Sequence, residues 1–231
     1  MMSIRSVETA YPVAFAEDAT GAGGFLGGFA PVAPRHHTSL VAFDVCAFGA
    51  GHRDESGRFA LRRDMYAAVR AAFQRAGLPW DECHREDRGD GALVVLPPDV
   101  PLHLLLDPLA HGLAREVRAG NARLRDEARL RLRAAVHCGY LYRDDHGIVG
   151  HAVNHTFRLL NAGAFQNAMA LTLTDVGLLA SERLYQDVTA HGPDVDTACY
   201  EPVRLECKET RTTAWLWVRE GTGRWAFGRP A

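Results

Sequence analysis

Four short stretches hold the residues from which chemistry could be built. The first is Phe43-Asp44-Val45-Cys46-Ala47-Phe48-Gly49, where an acid closes an apolar run. A carboxylate at the end of a buried strand is costly unless it finds a hydrogen-bond partner or a cation. The second is Glu86-Asp87-Arg88-Gly89-Asp90-Gly91, with Asp90 at the tip of a glycine-containing turn. If the strands carrying Asp44 and Asp90 are neighbours, the carboxylates converge, and such a pair can hold Mg²⁺ on a polyphosphate. The third is Val153-Asn154-His155-Thr156-Phe157-Arg158-Leu159, in which Asn154 and Arg158 are four positions apart. A helix sets both on one face. An amide and a guanidinium there can orient a ribose and stabilise charge on phosphoryl oxygens. The fourth is Lys208, which follows an apolar strand and offers a point charge to terminal phosphates. Each has a plainer reading: Asp-Gly is usually only a turn, an Asn and an Arg on one helix a solvated face, a single Lys a surface group. The order and context of all four together favour a site.

These residues need elements to position them. Leu40 to Cys46 is a short apolar run that suits a buried strand. Leu61, Met65, Val69 and Phe73 recur on one face and predict a helix over 59–76, ended by Gly77 and Pro79. Residues 82–96 read as two strands about the turn Arg88-Gly89-Asp90-Gly91. A second helix is expected over 103–121, a strand from Leu132 to Cys138, and a helix from Ala152 to Ala162. A strand at 168–174 and a helix through about Asp187 follow. Tyr200–Cys207 and Thr213–Val218 read as two strands joined by a polar turn. The order β-α-β-β-α-β predicts an α+β fold: a ferredoxin-like open sheet with helices on one face. Ahead of it, Gly21-Ala22-Gly23-Gly24-Phe25-Leu26-Gly27-Gly28, with Pro31 and Pro34 beyond, breaks regular structure. We expect a flexible arm over 1–37, a catalytic domain over 38–220 and a tail over 221–231. The glycine run is not a P-loop, because no Lys-Ser or Lys-Thr follows it.

With these pieces in place, the sequence resembles the class III adenylyl and guanylyl cyclases over about residues 39–218. Phe43, Asp44, Val45 and Phe48 match the family's "F-x-D-I-x-x-F" strand end. Gly89-Asp90 matches its hairpin metal site, and Val153, Asn154 and Arg158 match "V-N-x-x-x-R". The strand Leu132–His137 followed by Gly139 is similar to the "R-x-G-x-H-x-G" strand, and Lys208 falls where the family has a phosphate-binding lysine. The resemblance implies a class III cyclase catalytic domain that turns a nucleoside triphosphate into a 3′,5′-cyclic nucleotide and pyrophosphate. It implies two Mg²⁺ or Mn²⁺ ions per site, held by Asp44 and Asp90 with the carbonyl of Val45. One ion lowers the pKa of the ribose 3′-hydroxyl and the other neutralises the triphosphate. Arg158 stabilises the developing charge and Asn154 positions the ribose. Because the family builds its site between two subunits, a head-to-tail homodimer with two sites is implied.

Base selection departs from the family. Four residues before Asp90, where adenylyl cyclases have Lys, stands Glu86; seven before Asn154, where Asp or Cys is usual, stands Gly147. Glu86 resembles guanylyl cyclases and could equally accept from a cytosine amino group or from the N3–H of uracil. GTP or a pyrimidine is therefore favoured over ATP. Pyrimidine cyclases that serve antiviral defence in bacteria resemble this family too. Gly150-His151-Ala152-Val153-Asn154 also lacks the acid of "G-D-x-V-N". The alternative function is an inactive, cyclase-like module that binds nucleotide or dimerises to regulate. Retention of Asp44, Asp90, Asn154, Arg158 and Lys208 favours the enzyme.

Other classes fare worse. A net charge of −2 supplies no basic surplus for nucleic acid. No apolar run approaches the roughly 18 residues of a membrane span. The odd count of five cysteines, with no C-x-x-C pair and no secretion signal, predicts reduced thiols in the cytoplasm. His151, His155 and nearby His146 could bind Zn²⁺, but no H-E-x-x-H glutamate is present. His36-His37 is expected to be solvated in the arm. Cys138 beside His137 is a poor nucleophile, since adjacent strand residues face opposite ways. Arg62-Arg63 and the arginines of 123–133 are interleaved with acids and read as ordinary surface. Arg88-Gly89-Asp90 is not read as an adhesion tripeptide.

Overall fold

The computed structural model describes residues 35–217 except Leu173 and Pro193. The glycine-rich run, Val218 and the tail over 221–231 lie outside the described residues. The elements are β1 (Arg35–Val45), α1 (Glu55–Arg75), β2 (His84–Asp87), β3 (Gly91–Val95), α2 (Asp107–Asn121), β4 (Leu132–Asp144) and β5 (Gly147–Val149). There follow α3 (His151–Leu160), α4 (Gly163–Leu171), β6 (Val176–Ser181), α5 (Glu182–Thr189), β7 (Tyr200–Cys207) and β8 (Thr210–Trp217). They form one sheet of order β2-β3-β1-β4-β6-β8-β7, with β5 paired to β4. Among the described residues only β4 and β6 pair in parallel. This is the expected α+β open sheet with its β-α-β-β-α-β core.

Local chemistry explains most elements. Asp54 caps α1 by accepting from the Gly57 N–H at 2.8 Å, and Leu61, Met65, Val69 and Phe73 are buried along one face. Gly77, with φ of 73°, turns the chain out of that helix. Alternation along β1 sends Val41, Phe43 and Val45 into one core, with residues of α1, α2 and α5, and Leu40 and Ala42 into another. That second core holds Ala152, Val153 and Leu159 of α3 and Phe165 and Met169 of α4.

Three expectations are corrected. Helices on one face describes α1, α2 and α5, but α3 and α4 cover the other face, because both faces of the central strands are apolar. The strand expected at 168–174 is instead the end of α4: Phe165, Ala168 and Met169 are buried with helical spacing. The strand that follows is β6, buried at every position because it lies inside the sheet, between β4 and β8. Finally, β1 begins at Arg35, so His36 and His37 belong to a strand and not to an arm. β4 runs for 13 residues, and its far half pairs with Arg35, His36 and His37. The His37 ring meets Tyr140 edge-on, centroids 4.9 Å apart.

Candidate active site

Asp44 lies between two strands, opposite Gly91 of β3 and Arg133 of β4. The Val45 N–H donates to the Asp90 carbonyl at 2.9 Å, which locks the hairpin turn against the end of β1. Gly91 makes the approach possible, since a Cβ there would run into the Phe43 carbonyl. The two acids therefore come together as the sequence implied. Burial pushes the Asp44 carboxyl up from its ordinary value, Arg133 pulls it back, and the neighbouring charge of Asp90 adds to the rise. Asp90 is exposed, and no described group donates to its carboxylate.

Two sets of residues that the motifs did not single out support this pair. Arg133 forms an ion pair with Asp44 and also donates to the Leu160 carbonyl at the end of α3, at 3.3 Å. Its Nε is buried without a partner. It lies inside a strand the sequence did identify, but only the register shows that it faces Asp44. The second set staples the Asp90 turn to α1. Asp87 accepts from Tyr66 Oη at 2.6 Å and pairs with Arg62, and Arg62 also donates to the Gly89 carbonyl at 2.8 Å. The Arg62 hydrogen bond, chief among the causes, holds the Asp87 carboxyl down at about 2.

The two positions expected to select the base, Glu86 and Gly147, also meet. A Cβ built on Gly147 would lie 3.3 Å from Glu86 Oε1, so the glycine borders the carboxylate. Its φ of 131° disfavours any side chain. Glu86 accepts from Arg88 at 2.5 Å, and His84 Nε2 lies 3.2 Å from its other oxygen. The Arg88 guanidinium sits 5.3 Å over the Phe157 ring of α3.

On α3, Asn154 is exposed and Arg158 reaches the β7–β8 turn. Arg158 donates to Thr210 Oγ1 at 2.8 Å and to Glu209 Oε2 at 2.7 Å. Lys208, exposed with φ of 52°, stands in the same turn. Asn154, Arg158 and Lys208 thus gather around one helix and one hairpin. No hydrogen bond or ion pair among the described residues joins them to Asp44 or Asp90.

The histidines form a cluster rather than a ligand set. His155 lies 4.6 Å from the His137 ring and 5.9 Å from that of His151. Among the described residues no group of three or more His, Cys, Asp or Glu is arranged to hold a metal ion. Cys138 points away from His137, into the opposite core, and burial pushes its thiol up to about 11.

No protein-family model matches the chain, and no curated protein matches it. Solved structures do. The adenylate/guanylate cyclase/hydrolase of Silicibacter pomeroyi is 18% identical, covers 81% of this chain and 99% of its own, and superposes with a TM-score of 0.59. The guanylyl cyclase Cya2 is 17% identical, with 84% of this chain and 96% of its own covered and a TM-score of 0.55. The fold is that of a class III nucleotidyl cyclase catalytic domain. The same cyclase fold occurs in the monomeric guanylyl cyclase domain of RhoGC from Blastocladiella emersonii, at 16% identity, 82% and 99% coverage and a TM-score of 0.53. Within that fold, β1 and the β2–β3 turn carry the acids, while α3 and the β7–β8 turn carry Asn154, Arg158 and Lys208. No described helix is long and apolar enough to cross a membrane.

Proposed function

We propose that the chain is a nucleotidyl cyclase, converting a nucleoside triphosphate to a 3′,5′-cyclic nucleotide and pyrophosphate, with GTP or a pyrimidine triphosphate favoured over ATP. The observation that carries the reading is the convergence of Asp44 and Asp90 at the end of β1 on this fold.

The residues present fit divalent metal ions. Asp44 is paired with Arg133, and no described group donates to the Asp90 carboxylate, which leaves its oxygens available to a cation. Oxygen donors of this kind suit Mg²⁺ or Mn²⁺. Asp44 and Asp90, with the carbonyl of Val45, would hold two ions, which when bound lower the pKa of the 3′-hydroxyl and neutralise phosphate charge.

The chain's own groups supply the rest. The 3′-oxygen attacks the α-phosphorus, its proton leaves to solvent, and the bond to the bridging oxygen breaks with its electron pair going to pyrophosphate. Arg158 stabilises charge on the phosphoryl oxygens as that bond breaks, and Asn154 holds the ribose. Lys208 would supply a cation to the terminal phosphates. Glu86, with Gly147 leaving room beside it, reads the base. No hydrogen bond or ion pair among the described residues joins the acids to Asn154 or Arg158, which suits a head-to-tail homodimer in which the acids of one copy face α3 of another. Tyr140 and Val149, about half exposed at 50% and 53%, offer apolar surface for it. A cytoplasmic site of action suits the substrates and the five free thiols.

The test is turnover of purified protein with Mn²⁺ and each of ATP, GTP, CTP and UTP, reading cyclic nucleotide by mass spectrometry. One dominant cyclic product is expected. No product from any of the four would sink the enzyme reading.

A further inference from the structure

Arg158 is held at both ends. Its backbone lies in the last turn of α3, where Leu159 and Leu160 are buried and the Leu160 carbonyl accepts from Arg133. Its guanidinium is held by the β7–β8 hairpin, and the register of that hairpin explains how. Cys207 pairs with Thr210, so Lys208 and Glu209 alone make the turn. Two-residue turns favour left-handed backbone, and Lys208 adopts it with φ of 52°. A non-glycine residue is strained there, and such strain persists where neighbours over-determine the backbone. Arg158 supplies two ties to that turn: Nη2 donates to Glu209 Oε2 at 2.7 Å, and Nη1 donates to Thr210 Oγ1 at 2.8 Å. Glu209 is 76% exposed, and an exposed ion pair is worth little by itself. The part-buried bond to Thr210 engages the other terminal nitrogen, so the two acceptors together fix the plane of the guanidinium. A guanidinium has five N–H groups, and three remain unspent.

We propose that Thr210 and Glu209 are positioning residues: they hold the Arg158 guanidinium, before substrate arrives, in the orientation that presents its remaining N–H groups to the phosphoryl oxygens. The inference rests on the cyclase reading above and deepens it. Donors fixed in advance stabilise a transition state without reorganising as charge develops. A loose arginine must first be ordered, and its long side chain loses much rotamer freedom in the process. Because both ties run through the turn, they also set Lys208 relative to α3. The two acceptors differ in kind. Glu209 brings a negative charge, which opposes a phosphate as well as holding the arginine. Thr210 brings an acceptor and no charge, so removing its hydroxyl isolates orientation from electrostatics.

Two measurements on the full chain test this, and the first needs no turnover. In protein labelled with ¹⁵N-arginine, Arg158 should show slow rotation about its Nε–Cζ bond, read as separate Nη signals that disappear in Arg158→Lys. Thr210→Val and Glu209→Ala should each speed that rotation, while Glu209→Gln, which still accepts, should keep it slow. The second measurement is turnover with Mn²⁺. Thr210→Val should lower kcat about tenfold, the worth of one hydrogen bond to a charged group, with KM changed by less than about twofold. Thr210→Ser should recover most of the loss. In an Arg158→Ala background Thr210→Val should cost nothing further, because a positioning residue acts only through the group it positions. A freely rotating Arg158 in the parent, slow rotation unchanged in Thr210→Val, a Thr210→Val kcat equal to the parent's, or the same Thr210→Val loss in both backgrounds overturns the proposal. The two readings fail separately. No product from the parent, with slow rotation that Thr210→Val abolishes, ends the cyclase reading and leaves the clamp on Arg158 standing. Cyclic product from a parent whose Arg158 rotates freely does the reverse.

Discussion

Folding should hold His137 neutral well below the pH at which the unfolded chain protonates it, and the cost should be measurable. The ring is buried in β4 with Nδ1 2.8 Å from Ser181 Oγ, and Ser181 in turn caps α5 by accepting from the Leu184 N–H at 3.3 Å. Burial, with His155, Arg183, His151 and His37 as neighbours disfavouring a further positive charge, pushes His137 from 6.5 down to about 3. Between those values the unfolded chain binds the extra proton and the folded chain does not, so stability falls as the pH falls through this window. Each pH unit below the unfolded value costs about 1.4 kcal/mol, so acidifying to pH 5 costs about 2 kcal/mol. For a chain of this size that is a drop in Tm of about 4–8 °C. His155, lowered by burial, acts in the same direction. Asp87, held down at about 2, begins to lose its contribution only as the pH approaches its ordinary 3.8, at the acid end of that window and below pH 5.0. Urea unfolding of the metal-free protein at pH 7.5, 6.0 and 5.0 measures the slope. His137→Asn keeps a partner for Ser181 and should reduce the acid-side loss by about 2 kcal/mol at pH 5. A parent protein equally stable at pH 7.5 and 5.0, or a His137→Asn variant with the parent's slope, would refute the reasoning.

Other outcomes follow from the same geometry. Asp44→Ala and Asp90→Ala should each abolish Mn²⁺-dependent turnover while circular dichroism stays native; turnover at the parent rate would remove the acids from the site. On the proposed mechanism Arg158→Ala should lower kcat by roughly 10²–10³-fold with a smaller change in KM, because its contact with the phosphoryl oxygens would strengthen as the bond breaks. Gly91→Ala should destabilise the fold by about 1–3 kcal/mol in urea titration, since the added Cβ meets the Phe43 carbonyl. Asp87→Asn should leave the fold stable but slow turnover, because the Asp90 turn loses its ion pair to Arg62 and is held less firmly.

Much of this molecule was legible in local pattern. The helical spacing of Leu61, Met65, Val69 and Phe73, the stop at Gly77, and the turn between β2 and β3 all came through. They depend on neighbours within a few positions, and a chain carries that information directly. The order Asp44, Asp90, Asn154, Arg158, Lys208 was equally plain, and with it the cyclase-like reading. The misreadings arose where local pattern is silent. The apolar stretch around Phe165 to Leu171 suits a strand as well as a helix until packing on the second core decides, and His36-His37 becomes a strand only because β4 extends far enough to pair with it. Arg133 opposite Asp44, Gly147 beside Glu86, and His137 beneath His155 likewise depend on strand register and on which helix covers which face. Those are set by burying two apolar faces of one sheet at once. That is a condition on the whole chain, so only the tertiary structure could place the counter-ion of Asp44, the glycine beside Glu86 and the buried histidine.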